Sequence, residues 1–207
     1  MTAQGRRPRW PGADLPGRRL FVAVPLPPET TARIAALVDA VRSAGVPDGG
    51  RDVRWVRLEG LHLTLRFIGP TPEGRLDAAR KAVLEAAQAV DPFDISIGGA
   101  GAFPPFARPR ALWLGLREGE GSLTTLARAV DRALSDAGWS LDEKPFRAHL
   151  TLARSDGVPA GAAIANRLVS AAADFHARFR AERMGLFESL TGGGPARYDP
   201  IETVDLG

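Results

Sequence analysis

At 207 residues, 44% hydrophobic and 25% charged, the chain has the makeup of an ordinary globular domain, or of two small lobes sharing one core. It has no cysteine, which excludes disulfides, thiolate nucleophiles and Cys-type zinc sites, and no apolar run nears the roughly 20 residues needed to cross a bilayer. Formal charge is only +3, yet of the 27 lysines and arginines only Lys81 and Lys144 are lysine.

Arginine presents a planar fork that matches phosphate and stacks on bases. A GC-rich genome would raise Arg, Ala, Gly and Pro together, so a nucleic-acid footprint requires that the arginines cluster in space. The first residues lack the apolar core of a secretory signal, and a cytoplasmic protein is expected. Residues 1–18 hold Arg6, Arg7, Arg9 and Arg18 against the single acid Asp14. This composition predicts a flexible basic tail, with one domain over 19–207.

Leu20 to Val24 reads as a buried strand ended by Pro25. Pro27-Pro28-Glu29 opens a helix whose apolar stripe is Ile34, Leu37, Val38 and Val41, closed by the Gly- and Pro-rich stretch from Gly45 to Gly50. Val53 to Leu58 and Leu61 to Ile68 are strand candidates, the second stopped by Gly69-Pro70. Thr71, Pro72 and Glu73 start a helix with a stripe of Leu76, Ala79, Val83, Leu84 and Ala87. Phe93 to Ile97 alternates as a half-buried strand. Gly98 to Arg110, with its glycines and prolines, reads as a loop, and Ala111 to Leu116 as a strand.

A third helical stripe runs through Leu123, Leu126, Ala127, Val130 and Leu134 to Gly138. Phe146 to Ala153 is a strand, and Ile164, Leu168 and Val169 mark a fourth helix. Phe175 to Leu190 and Tyr198 to Val204 are the last strand regions. The order predicts an α+β fold with mainly antiparallel sheets and outer helices.

Two tetrapeptides are identical: His62-Leu63-Thr64-Leu65 and His149-Leu150-Thr151-Leu152. One such segment is weak evidence, but two copies in a chain with three histidines are not readily accidental. In a strand, residues i and i+2 share a face. Each copy therefore sets an imidazole and a hydroxyl on one side and two anchoring leucines on the other. Phosphodiester cleavage needs a base to activate the nucleophile and an acid to protonate the leaving oxygen. Imidazole serves both near neutrality, and threonine hydroxyls can hold the phosphoryl oxygens.

These segments resemble the two-histidine (2H) phosphoesterases, and among them the RNA 2',3'-cyclic phosphodiesterases, also called the 2'-5' RNA ligase family. The likeness rests on Arg19 to Pro27, on Leu61-His62-Leu63-Thr64-Leu65-Arg66-Phe67-Ile68-Gly69 and on Pro145 to Arg154. Ala148 departs from the proline often found before the second histidine. The resemblance implies two similar lobes, related by a pseudo-twofold and each an antiparallel sheet with outer helices, facing across a central cleft. It also implies His62 as general acid, His149 as general base, a 2'-phosphate product, and 2'-5' ligation when an RNA 5'-hydroxyl replaces water. The expected partner is an RNA end bearing a 2',3'-cyclic phosphate, with neither metal nor cofactor required, no membrane, and a monomer.

Further substrate contacts are expected from Arg154, Arg66, Phe67, Arg147, Lys144 and Phe106. Strict alternation groups Arg66 with His62 and Thr64, and Arg154 with Leu150 and Leu152. The resemblance nonetheless marks Arg154 as family-typical, and strand twist can redirect it. Phe67, Phe106 and Trp139 are candidates to stack a terminal base, although core packing is the better expectation for Phe67. His176, with no threonine two residues on, reads as structural or exposed. Competing readings are a small cyclic phosphate or 2'-5' oligonucleotide as substrate, a non-catalytic RNA-binding module, and a histidine metal site, for which two imidazoles make an incomplete ligand set.

Overall fold

The structure, a computed structural model, describes residues 17–45, 53–104, 108–140, 145–155, 159–190 and 196–207. The expected tail therefore lies outside the described residues except for Gly17 and Arg18, and Arg18 already stands in the first strand.

The apolar run at Leu20 becomes β1 (Arg18–Pro25), and Pro28 begins α1 (Pro28–Ser43), whose stripe of Ile34, Leu37, Val38 and Val41 is buried as its spacing requires. Then follow β2 (Arg54–Trp55), β3 (His62–Thr71) and α2 (Leu76–Ala87). Next come β4 (Phe93–Phe103), β5 (Ala111–Glu118), α3 (Glu120–Asp136) and β6 (Leu150–Arg154). The chain ends in α4 (Pro159–Ala171), β7 (His176–Ala181), β8 (Arg183–Leu190) and β9 (Arg197–Asp205).

Two antiparallel sheets result, one in the order β3-β1-β8-β9 and the other β2-β6-β5-β4-β7. The first sheet is covered by α2, against β8 and β9, and by α3, against β3; the second is covered by α4 on β4 and α1 on β7. Helices α1 and α3 thus each leave the sheet that precedes them and pack on the other. Leu63 and Leu65 of β3, and Leu150 and Leu152 of β6, are all buried in the hydrophobic core. Each such leucine contributes about 1.5–3 kcal/mol of transfer free energy.

Several boundaries differ from those read in the sequence. Gly69-Pro70 does not end β3. Gly69 takes φ of 88°, and β3 is an edge strand, where a proline's missing donor faces no partner. The expected loop from Gly98 is strand as far as Phe103. Gly101 lies opposite Trp113 in the neighbouring strand, and a Cβ there would run into the indole ring; the glycine serves close packing, not a turn. Leu84 is 45% exposed because Ala82 and Ala86 complete the buried face of α2 instead. Val53 to Leu58 yields only the two residues of β2 before a 3-10 turn at Leu58–Gly60. The run from Phe175 to Leu190 divides at Glu182, so β7 joins one sheet and β8 the other.

Candidate active site

Both motif strands carry their histidines to one small cleft of about 80 Å³, lined by His62, Thr64, His149, Thr151, Arg154, Phe67 and Tyr198. Alternation holds for the first three residues of each copy. His62 and Thr64 are half-buried beside the cleft while Leu63 is fully buried, and Thr151 and Leu150 repeat this.

Alternation then breaks in both copies at the same place. In the pairing of β3 with β1, Val22 stands opposite Arg66 and Ala23 opposite Thr64, so Leu65 is an extra residue. In the pairing of β6 with β5, Leu112 stands opposite Ala153 and Trp113 opposite Thr151, so Leu152 is extra. A bulge of one residue shifts every later side chain to the other face. Phe67 and Arg154, each five residues beyond its histidine, therefore rejoin the histidine and threonine at the cleft. Arg66 is turned away, contrary to the count by strict alternation, and makes a two-pronged ion pair with Asp131 of α3. Phe67 is 49% exposed, in place of the core position expected for it.

The two imidazoles are hung alike. Nδ1–H of His62 donates to the carbonyl of Gly60 at 2.6 Å, and Nδ1–H of His149 to that of Arg147 at 2.7 Å. In each case the acceptor is two residues back, and Nε2 is left as the ring nitrogen for the cleft. Burial pushes both imidazoles below their ordinary value of 6.5, with the carbonyl bond opposing; for His149 the charge of Arg154 adds to the lowering. The neutral form of both imidazoles is thus favoured.

Their surroundings differ. His62 stands against Phe21 (centroids 4.8 Å apart), Phe187 (6.3 Å) and the edge-on ring of Tyr198 (4.8 Å, interplanar angle 87°). His149 meets Phe103 edge-on at 5.4 Å. Sequence reasoning placed Tyr198 only as a strand residue. Its place at the cleft follows from the register of β9, and an added Cβ at Gly60 would come within 3.0 Å of its ring. Burial raises the Tyr198 phenol above its usual range, with Arg154 opposing. Arg54, also not singled out before, pairs in register with Arg154, so the two share a sheet face at the cleft rim.

Of the other expected contacts, Arg147 holds its guanidinium 5.9 Å from the centre of the Phe103 ring and does not line the cleft itself. Lys144 and Phe106 lie outside the described residues. Trp139 is covered by the Arg75 guanidinium at 3.9 Å and is not in the cleft. His176 is exposed on β7. Among the described residues Arg154 has no carboxylate partner, and no three of His, Cys, Asp or Glu gather to hold a metal. No helix among them is long and apolar enough to cross a membrane.

The model of the 2'-5' RNA ligase superfamily matches residues 26–193. The chain belongs to this superfamily. Over 136 residues it is 37% identical to a protein of Archaeoglobus fulgidus named RNA 2',3'-cyclic phosphodiesterase, a match covering 66% of this chain and 72% of that one. A Geobacillus stearothermophilus protein of the same name is 36% identical over 135 residues, or 65% of this chain but only 41% of the longer relative. A crystal structure from Thermus thermophilus superimposes with a TM-score of 0.70 at 30% identity, covering 91% of this chain and 97% of that one. The superfamily fold, two antiparallel sheets with four helices, is the architecture described above.

Proposed function

We propose that this protein hydrolyses the 2',3'-cyclic phosphate at an RNA end to a 2'-phosphate, without a metal. The observation that carries the reading is the pair of imidazoles. Each is fixed by Nδ1 to a carbonyl two residues back, and each is followed by a threonine on the same cleft. The superfamily membership and the names of the relatives point the same way.

Burial favours the neutral form of both imidazoles, and a phosphodiester anion favours a proton on one of them. The family resemblance makes His149 the base and His62 the acid, and the nearby Arg154 charge adds to the burial that disfavours a proton on His149. His149 Nε2 takes a proton from water as the water oxygen bonds to phosphorus. The P–O3' bond breaks, and His62 Nε2–H gives its proton to the departing 3'-oxygen. Thr64, Thr151 and Arg154 hold the phosphoryl oxygens, where charge gathers. Solvent then resets the two protons. With an RNA 5'-hydroxyl in place of water, the same steps form a 2'-5' linkage, and its cleavage runs them backward with the roles exchanged.

The test is an oligoribonucleotide ending in 2',3'-cyclic phosphate, incubated with and without chelator. A 2'-phosphate product that still forms in chelator, and is lost in the His62→Ala and His149→Ala proteins, is the expected result. Activity in the double variant, or activity abolished by chelator and restored by zinc, would overturn the mechanism.

A further inference from the structure

The second sheet carries an aromatic surface that the cleft chemistry does not use. Trp113 of β5 stands opposite Thr151 of β6 and opposite Gly101 of β4. Cross-strand partners share a face, so the indole lies on the side of the sheet that bears the catalytic threonine. Its ring is laid across β4, over the place a Cβ would occupy at Gly101, with Gly115 also beneath it. Phe103 continues the row, 5.0 Å from Trp113 and 5.4 Å from His149. At its edge stands the exposed Arg147, which among the described residues has no acidic partner.

In the other sheet the residue opposite the motif threonine is the buried Ala23, and the aromatic ring beside the histidine is enclosed. There Phe21, beside His62, is 1% exposed, shut in by Phe67, Phe187 and Tyr198. Trp113 and Phe103 instead remain partly open. A tryptophan retained for packing ordinarily anchors its indole N–H. Trp113 Nε1 finds no acceptor, and the orientation of the ring is set by the glycines below it. A flat indole, an adjoining phenyl ring and a guanidinium at the rim form a stacking platform with a phosphate contact, the chemistry by which proteins hold single-stranded RNA.

We infer that Trp113 and Phe103 form a subsite for the nucleotide preceding the cyclic-phosphate terminus, with Arg147 toward its phosphate. This rests on the RNA-end reading above. The platform joins the cleft through His149, and Trp113 is one strand farther in than the motif strand. A base stacked there belongs to the next nucleotide along, while the terminal nucleoside occupies the cleft beside Phe67 and Tyr198.

The experiment compares kcat/KM on adenosine 2',3'-cyclic monophosphate with kcat/KM on a short oligoribonucleotide ending in the same group. The wild-type chain and the Trp113→Leu and Trp113→Tyr variants are assayed together. Wild type should favour the oligomer, and Trp113→Leu should lower the oligomer-to-monomer ratio about tenfold, the size of one stacking contact. Trp113→Tyr should restore part of it. A ratio unchanged in Trp113→Leu, with both substrates slowed alike or neither slowed, overturns the subsite and leaves Trp113 as packing for Thr151. Binding of a 3'-hydroxyl oligoribonucleotide, followed by tryptophan fluorescence, separates the two readings. If wild type cleaves neither cyclic substrate, the hydrolase reading fails, and the subsite then stands or falls on whether Trp113→Leu weakens that binding.

Discussion

The two motif copies are the same four residues with the same hydrogen bond and the same bulge, yet they serve different neighbourhoods. His62 sits among Phe21, Phe187 and Tyr198. His149 sits beside one phenyl ring and the guanidinium of Arg154. At the position that each bulge returns to the cleft, one copy has Phe67 and the other Arg154. A duplicated frame therefore fixes where the imidazoles stand, and the unduplicated residues around it make them unequal. An acid–base pair needs that inequality, because two equivalent histidines would give no preference for which one carries the proton.

The sharpest way to break the comparison is to remove each imidazole in turn. His62→Ala and His149→Ala should each lower the rate on a cyclic-phosphate RNA by about 10²–10⁴-fold, the usual weight of a general acid or base. The two should differ in pH profile. Loss of the base should flatten the acidic limb, and loss of the acid the alkaline limb. Identical profiles in the two variants would argue against separate roles.

Next comes the fifth position of each copy. Arg154→Gln should lower kcat/KM by about 10–100-fold through a lost charged phosphate contact, roughly 1.5–3 kcal/mol. It should also raise the His149 pKa, followed through imidazole proton shifts in NMR spectra, while that of His62 moves less. Equal movement of both histidines would contradict the asymmetry drawn from Arg154.

A smaller effect tests the side chain that the bulge turns away. Asp131→Asn should lower unfolding stability by about 1–3 kcal/mol, because it removes the negative charge from a two-pronged contact with a half-buried guanidinium, and kcat/KM should stay within about twofold. Denaturant melts and steady-state rates on one preparation decide this. A large rate loss with intact stability would put Arg66 back among the substrate contacts.

The smallest effect concerns stability against pH. Burial holds both imidazoles below 6.5 in the folded chain, so the unfolded chain binds protons more readily. Their contribution is complete above about 6.5 and is lost as pH falls toward the folded values. The urea midpoint should therefore drop on acidification, and less steeply in His62→Gln. An equal slope in that variant would mean His62 is not the group responsible.

Most of the element order was legible because the apolar periodicities are strong; the stripes of α1 and α3 are buried residue for residue. The cleft pair was legible because alternation acts locally within each tetrapeptide. What lay beyond it was set by partners distant in sequence. The bulge at Leu65 depends on the register with β1, and the one at Leu152 on the register with β5, so neither Phe67 nor Arg154 could be placed by counting. Tyr198 reaches His62 only through the pairing of the final strands. Glycine misled for a related reason. Gly101 answers to the bulk of Trp113 across the sheet and Gly98 to Arg117 and the Phe175 carbonyl, while the composition of the segment alone resembles a turn.

The exchange of α1 and α3 between the sheets has a mechanical consequence. Each sheet is closed by a helix that follows a strand of the other sheet, like two hands gripping each other's wrists. The halves cannot swing apart on a simple hinge without stripping a helix from apolar cover, nor can either be cut out with its layer complete. The spacing of the two imidazoles is thereby tied to the integrity of the whole molecule, and thermal loss of activity should coincide with global unfolding, with no earlier opening of the cleft.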